Sequence, residues 1–160
     1  MSHPIAPRTA HVPRIVTLFN PVVRRLMRAG MPAGPNVLLT VRGRTSGLPR
    51  TFPVALLQVE DRIFVQSPYG EVHWVQNLRA AREGILDRGG RPTPVDAVEL
   101  APTEGGRVLV DALAPLRRHA ITARLARVFV PLAPDADLAA HVEHVRSHPM
   151  FELLPRSATV

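Results

Sequence analysis

The first half of the chain contains short apolar runs broken by polar residues, and this pattern predicts β-strands. Three such runs cover residues 36 to 43, 49 to 59 and 62 to 67. Polar side chains at interior positions of these runs are typical of a barrel or a half-exposed sheet, and not of a parallel sheet that is buried on both faces. Glu60 and Asp61 lie between the second and third runs and predict a tight turn that joins two strands.

A pair of glycines predicts a second hairpin. Gly89 and Gly90 separate residues 85 to 88 from an apolar run over residues 91 to 100. A Gly-Gly pair supplies the two positive φ angles that a two-residue hairpin turn requires. We therefore expect two further antiparallel strands here.

Apolar residues recur at helical spacing in the second half of the chain. Trp74, Leu78 and Ala81 predict a short helix. An apolar pattern over residues 104 to 129, interrupted at Pro115, predicts further helical structure. The last predicted helix runs from Asp137 to His148, and a short strand from Phe151 to Leu154 follows it. The combination of antiparallel strands and helices places the chain in the α+β class.

The N-terminal segment is rich in proline over residues 1 to 11, and we expect it to be flexible. Residues 12 to 160 are expected to form a single domain, because no linker, repeat or low-complexity tract divides them.

The pattern over residues 12 to 30 predicts an amphipathic, arginine-rich helix, for which there are two interpretations. In the first, which is the commoner arrangement, the apolar side of the helix packs on the core. In the second, the helix rests on an anionic membrane surface as a peripheral contact. The apolar positions are Ile15, Leu18, Phe19, Val22 and Leu26.

The chain is strongly basic, but its charge has a compositional origin that weakens it as an indicator of function. The formal net charge is +7, and the 20 basic residues are all arginine. Alanine, valine, leucine, proline and arginine dominate, which is typical of a GC-rich bacterial genome. Aromatic residues amount to only 4% of the chain, whereas proteins that bind single-stranded nucleic acid interleave aromatic and basic side chains. We therefore expect no nucleic-acid partner.

Several kinds of site are excluded or disfavoured by the residues present. The absence of cysteine excludes disulfides, thiolate metal sites and cysteine nucleophiles. His141, His144 and His148 could share one helix face, but incidental histidines on a solvated helix are the simpler interpretation, and we expect no metal site. The sequence shows neither a signal peptide nor an apolar run long enough to span a bilayer, so we expect a cytoplasmic protein.

The turn between the first two predicted strands has the composition of an anion-binding loop. Two glycines allow the backbone to turn with its N–H groups converging, two hydroxyl side chains add donors, and two arginines suit phosphate or carboxylate. An ordinary solvated hairpin explains these residues equally well, because their spacing matches neither the P-loop nor the dinucleotide-binding fingerprint. The turn is Gly43-Arg44-Thr45-Ser46-Gly47-Leu48-Pro49-Arg50.

Further motifs follow this turn in a defined order. They are Pro53, then Ser67-x-x-Gly70, then Trp74-x-x-Asn77-Leu78-x-Ala80, and finally His148-Pro149-x-Phe151 near the C-terminus. With this order the chain closely resembles the deazaflavin-dependent nitroreductase family. The resemblance extends from about residue 15 to residue 155.

The resemblance implies a split β-barrel, an antiparallel barrel like those that bind FMN, with flanking helices. It implies the 8-hydroxy-5-deazaflavin coenzyme F-420 as the cofactor, with FMN less expected. A phosphodiester and several carboxylates need arginine-rich surroundings, and a flat tricycle needs apolar and aromatic walls. By motif position, the phosphate and the oligoglutamate tail would be held by Arg44, Thr45, Ser46 and Arg50, and the ring would be lined by Phe52, Pro53, Ser67 and Trp74.

The reaction implied by the resemblance is hydride transfer from the reduced deazaflavin to an electrophilic small molecule such as a quinone, an enone or a nitro compound. The protein would orient the reactants, exclude water, and stabilise or protonate the anion that results. Candidates for this catalytic role are Tyr69, His73 and His119. Family analogy also implies a homodimer.

A second class of function stays open from the sequence. Glu71 adds a negative charge close to the expected anion, and the loop before Trp74 is short. These features favour a cofactor-free enzyme, for example a cyclase or an isomerase, or a ligand-binding protein on the same fold.

Overall fold

Six antiparallel strands close into a barrel in the computed structural model, which describes residues 36–115, 130–133 and 135–156. The strands neighbour one another in the order β1-β2-β3-β6-β5-β4, and β4 pairs with β1 to complete the closure. The α+β split barrel expected from the sequence is confirmed. The strands are β1 (Asn36–Arg42), β2 (Pro49–Val59), β3 (Arg62–Gln66), β4 (Glu83–Asp87), β5 (Pro92–Glu99) and β6 (Met150–Pro155); the helices are α1 (His73–Ala81), α2 (Pro102–Leu113) and α3 (Leu138–Ser147).

Two hairpin turns form at the positions predicted from the sequence. Val59 pairs with Arg62 across a two-residue turn in which Glu60 has a φ of 53°. In the second hairpin, Gly89 and Gly90 have φ angles of 61° and 83°. Both glycines therefore adopt the left-handed conformation that side chains other than glycine rarely tolerate.

The hydrophobic core has two parts that lie on opposite faces of the barrel wall. Inside the barrel, side chains such as Leu39, Val65 and Val95 pack together and are at most 2% exposed. Outside it, Phe64 and Met150 pack against α2 and α3. Because successive strand residues point to opposite faces, β3 is covered on both sides.

Helix α1 covers part of the barrel interior. Trp74, Val75 and Leu78 belong to the inner core, and all three are buried. The helix ends at Arg82, which adopts a left-handed φ of 56° and whose carbonyl accepts a hydrogen bond from the Ala97 N–H at 2.9 Å. This bond fixes the C-terminal end of α1 against β5.

Helices α2 and α3 pack closely because α2 contributes two consecutive glycines. A Cβ atom on Gly105 would lie 2.8 Å from Val145 Cγ1, and one on Gly106 would lie 2.9 Å from the backbone nitrogen of Val142. The absence of side chains at these positions allows the two helices to approach one another. None of the three described helices has both the length and the apolar character needed to cross a bilayer.

The helical region predicted over residues 104 to 129 begins earlier in the structure than expected. Helix α2 begins at Pro102, two residues before the predicted boundary, because proline at the first helical position has no N–H that would need a partner. The part of the prediction from residue 116 to residue 129 lies outside the described residues, and so do the predicted flexible segment 1 to 11 and the amphipathic helix over residues 12 to 30.

Candidate functional site

The turn from Gly43 to Arg50 is closed by its own backbone. The N–H of Gly43 donates to the Leu48 carbonyl at 2.8 Å, and the N–H of Gly47 donates to the Gly43 carbonyl at 2.8 Å. Gly47 has a φ of 68°, which favours glycine. A Cβ on Gly43 would lie 2.9 Å from Ser46 Oγ, so both glycines are required by the shape of the turn.

Several donors of this turn remain available to a ligand. The N–H groups of Thr45 and Ser46 have no partner among the described residues. Arg44 and Arg50 are exposed and form no ion pair with any carboxylate in the described part of the chain. Four arginines, Arg62, Arg79, Arg146 and Arg156, each contact an acidic residue. Five others in the described ranges also lack a carboxylate partner but do not line the cavity that this turn borders, namely Arg42, Arg82, Arg88, Arg91 and Arg107.

The turn forms one wall of a cavity of about 370 Å³. This volume lies within the range of roughly 300–1,000 Å³ that small-molecule sites occupy. Charged and polar groups lie on the side of the turn, while the Phe52 ring supplies apolar surface and His73, at the start of α1, supplies an imidazole. The lining residues are Gly43, Arg44, Thr45, Ser46, Arg50, Phe52, His73 and Asn77.

The structure brings six of the residues selected from the sequence to this one cavity. They are Arg44, Thr45, Ser46, Arg50, Phe52 and His73. Three others, Pro53, Ser67 and Trp74, do not line it, and neither does Tyr69. His119 lies outside the described residues. The roles suggested for all of these side chains stay predictions.

Ser67 and Trp74 have structural contacts that explain their positions. The Ser67 hydroxyl is fully buried and donates to the Gly70 carbonyl at 2.6 Å, which closes the loop before α1. Trp74 is 8% exposed, and its ring lies 6.3 Å from the ring of Phe151 in a tilted arrangement. Both residues therefore support the wall next to the cavity.

Asn77 is the lining residue that sequence analysis did not assign to the site. Its Oδ1 atom accepts hydrogen bonds from the backbone N–H of Arg44 at 3.2 Å and from Arg44 Nη1 at 3.0 Å. The signal in the sequence is a polar residue three positions after Trp74, on the buried face of a short helix. Such a residue needs a hydrogen-bond partner, and here the partner is the anion-binding turn.

The negative charge of Glu71 is neutralised by an arginine. Arg79 Nη2 donates to Glu71 Oε1 at 2.7 Å and to Glu99 Oε1 at 2.6 Å, so one guanidinium joins two carboxylates. These bonds raise the pKa of Arg79 further above its ordinary value, with Glu99 the larger contributor and Glu71 the second. Glu71 is not among the residues that line the cavity.

The solvated helix face expected for the three histidines is wrong, because His141 and His144 on α3 are buried and His148, just after α3, is half-buried. The rings of His144 and His148 stack with their centroids 4.1 Å apart. Burial, followed by the neighbouring His148 and His141, lowers the pKa of His144 to about 4. Among the described residues, no group of three or more side chains is arranged to hold a metal ion.

Comparison with protein families assigns the chain to a group of reductases. The profile of the F420H(2)-dependent quinone reductase family matches residues 16–130, which is more than half of the chain. The chain belongs to this family. It is accordingly an oxidoreductase of the F-420-dependent reductase group. No curated protein sequence matches the chain.

Three solved structures that are similar to the chain have low sequence identity to it. One described as a domain-swapped dimer has 18% identity and a TM-score of 0.50, with 83% of this chain and 94% of that chain covered. An F-420-dependent reductase has 19% identity and a TM-score of 0.48, with 74% and 93% covered. An FAD-binding protein from Mesorhizobium loti has 14% identity and a TM-score of 0.46, with 92% of each chain covered. At these identities the first comparison supports the fold alone.

The residues of the cavity fit a flat, polyanionic coenzyme. Arg44 and Arg50 have no carboxylate partner in the described ranges, and two backbone N–H groups beside them are free. These two guanidinium groups have no counter-ion among the described residues, and a phosphate or carboxylate of a ligand would supply one. Phe52 provides an apolar wall next to these donors, as a planar ring requires.

Proposed function

We propose that this reductase binds the deazaflavin coenzyme F-420 in the cavity beside the turn from Gly43 to Arg50 and reduces a quinone. The observation that supports this proposal is the junction of two unpaired arginines with the Phe52 ring at one cavity. Membership of a quinone reductase family supports the choice of acceptor. FMN is less favoured as cofactor, because it has no oligoglutamate tail to occupy the arginines.

The side chains of the turn would bind the charged part of the coenzyme. Arg44 and Arg50 donate to oxyanion oxygens, and the free N–H groups of Thr45 and Ser46 add neutral donors at the same wall. Phe52 would contact the ring, with Pro53, Ser67 and Trp74 behind or beside it. These residues orient the coenzyme and exclude water, which are the main contributions of a protein to cofactor chemistry.

When bound, the reduced deazaflavin supplies a hydride to the acceptor. The remaining task of the protein is to hold the acceptor in place and deliver a proton to the oxygen that becomes negative. Of the two candidates in the described part of the chain, Tyr69 and His73, only His73 lines the cavity. We therefore propose His73 as the first proton donor to test.

The acceptor is tested by following the reappearance of oxidised coenzyme fluorescence with one quinone, one enone and one nitroaromatic compound at equal concentrations. We expect the highest kcat/KM with the quinone, and a lower kcat in His73→Ala than in the neighbouring variant Gln76→Ala. The proposal is wrong in its acceptor if the nitroaromatic compound or the enone is reduced with a higher kcat/KM than the quinone.

The alternative of a cofactor-free protein loses one of the two features that favoured it, the charge of Glu71. Glu71 is engaged by Arg79 at 2.7 Å and does not line the cavity, so its charge does not oppose an anion there. We therefore retain one proposed function.

We further propose that residues 12 to 160 form one domain and that this domain assembles as a homodimer. A monomeric mass in light scattering would exclude the dimer.

We also propose that residues 12 to 30 contact membrane surfaces. This segment has four arginines, no acidic residue and five apolar residues at helical spacing. Co-sedimentation with vesicles tests the membrane contact: binding to anionic vesicles should exceed binding to neutral ones and should weaken in the Arg24→Glu, Arg25→Glu variant. Equal recovery of the protein with both vesicle types would exclude the membrane contact.

A further inference from the structure

A buried side-chain amide at the cavity has a fixed orientation. Asn77 is 5% exposed, and its Oδ1 accepts from both the backbone N–H and the guanidinium of Arg44. A 180° rotation of the amide would place an NH2 group against two other donors. Only one orientation therefore satisfies Arg44, and it determines where Asn77 Nδ2 points.

The other end of this amide has an unused donor. Asn77 Nδ2 makes no hydrogen bond with a described residue. Within the described ranges, the only enclosed side-chain polar atom that lacks a partner is His144 Nε2, so Asn77 Nδ2 is reachable by solvent. Asn77 lines the cavity, so the accessible Nδ2 is the donor that Asn77 could offer to an acceptor bound there.

The contact with Asn77 orders the Arg44 side chain before any ligand binds. A free arginine side chain loses conformational entropy when a ligand orders it, and this loss reduces affinity. Asn77 holds Arg44 at two points, one on the backbone and one on the guanidinium. The guanidinium is thereby preorganised beside the cavity.

We infer that Asn77 is a ligand-binding residue of this cavity with two functions: Oδ1 positions Arg44, and Nδ2 donates to an oxyanion oxygen of the ligand. The inference rests on the proposed function and adds a residue to its site. The oxyanion is a phosphate or a carboxylate, since both accept hydrogen bonds only. A ligand group that must itself donate would be rejected at this position, because both Nδ2 and Arg44 are donors.

The discriminating variant is Asn77→Asp, with Gln76→Glu as the matched control. Aspartate keeps an acceptor for Arg44, removes the Nδ2 donor and adds a negative charge. Gln76→Glu makes the same chemical change one residue away, on a side chain that does not line the cavity. We expect Asn77→Asp to raise the Kd for oxidised F-420 by about tenfold or more, and Gln76→Glu to change it by less than about threefold. An unchanged Kd in Asn77→Asp overturns the inference.

A measurement on the unmodified protein tests the same inference without relying on a variant that folds. The side-chain NH2 resonance of Asn77 is followed by ¹H–¹⁵N NMR during titration with inorganic phosphate and, separately, with triglutamate. A saturable shift of this resonance with either probe supports the Nδ2 donor and identifies the oxyanion, and no shift with either probe overturns the Nδ2 donor.

The positioning role of Asn77 is tested in Asn77→Ala without ligand. Faster hydrogen exchange of the Arg44 amide in this variant supports the positioning role, and unchanged exchange contradicts it.

The outcomes separate the inference from the proposed function. If phosphate shifts the Asn77 resonance but wild-type protein does not bind F-420, the proposed function is wrong and the amide remains an oxyanion donor. If F-420 binds equally well to wild-type protein and to Asn77→Asp, the proposed function stands and the inference is wrong.

Discussion

At the scale of single residues, the arginines of the described ranges differ in whether an acidic residue neutralises them. Arg79 joins Glu71 to Glu99, whereas Arg44 and Arg50 have no carboxylate partner and lie at the cavity. Exposed ion pairs contribute little to stability, so the paired arginines are exchangeable at small cost. An arginine without an ion pair, beside free N–H groups, binds an anionic ligand more readily because no salt bridge must first be broken.

Arg50→Gln should weaken coenzyme binding without unfolding the protein. A hydrogen bond to a charged group contributes about 1.5–3 kcal/mol, so the Kd for F-420 should rise by roughly ten- to a hundredfold. Calorimetric titration measures this change. Arg146→Gln, which breaks an exposed pair with Glu143, is the control and should leave the Kd unchanged. Equal affinities in Arg50→Gln and wild-type protein would remove Arg50 from the site.

At the scale of elements, the approach of α2 to α3 depends on glycine. A methyl group on Gly106 would meet the backbone of Val142 at 2.9–3.0 Å, and backbone atoms cannot rotate away as a side chain can. Gly106→Ala should therefore lower the free energy of unfolding by about 1–3 kcal/mol in urea titrations, despite the better helix propensity of alanine. Arg107→Ala, on the exposed side of the same helix, is the control. Stabilisation by Gly106→Ala would contradict this packing.

Helix α3 should make stability depend on pH through His144. The pKa of this buried imidazole is lowered from 6.5 to about 4, so between these values the unfolded chain binds a proton that the folded chain does not. Stability is therefore highest above pH 6.5 and falls as the pH decreases towards 4. Thermal melts from pH 7 to pH 4.5 should show this loss. His144→Gln should flatten the slope, and a slope equal to that of the wild-type protein would contradict the assignment.

Most elements could be predicted from the sequence because their signals are local. Short apolar runs broken by polar residues located β1 to β3, and the Gly89-Gly90 pair located the second hairpin. Asn77 could not be assigned to the site in this way, because its partner Arg44 is 33 positions away in the chain. Which donors of the turn remain free is also a tertiary property, since it depends on the bonds that Asn77 and Leu48 make.

At the scale of the whole molecule, barrel closure brings distant segments to one cavity. The turn between β1 and β2 and the start of α1 both line it, and α1 is fixed at its other end against β5. The pairing of β3 with β6 joins residues that are far apart in the sequence, such as Ile63 with Leu153. No local signal specifies that pairing. The pattern of polar positions left a barrel and a half-exposed sheet open, and the resemblance to a family predicted the barrel.

The central claim is that this barrel binds F-420 through its arginine-containing turn, and a calorimetric titration of wild-type protein with oxidised F-420 and with FMN tests it most directly. We predict saturable binding of F-420 with an affinity at least about tenfold higher than that for FMN. Absence of F-420 binding, or an equal or higher affinity for FMN, would contradict the account.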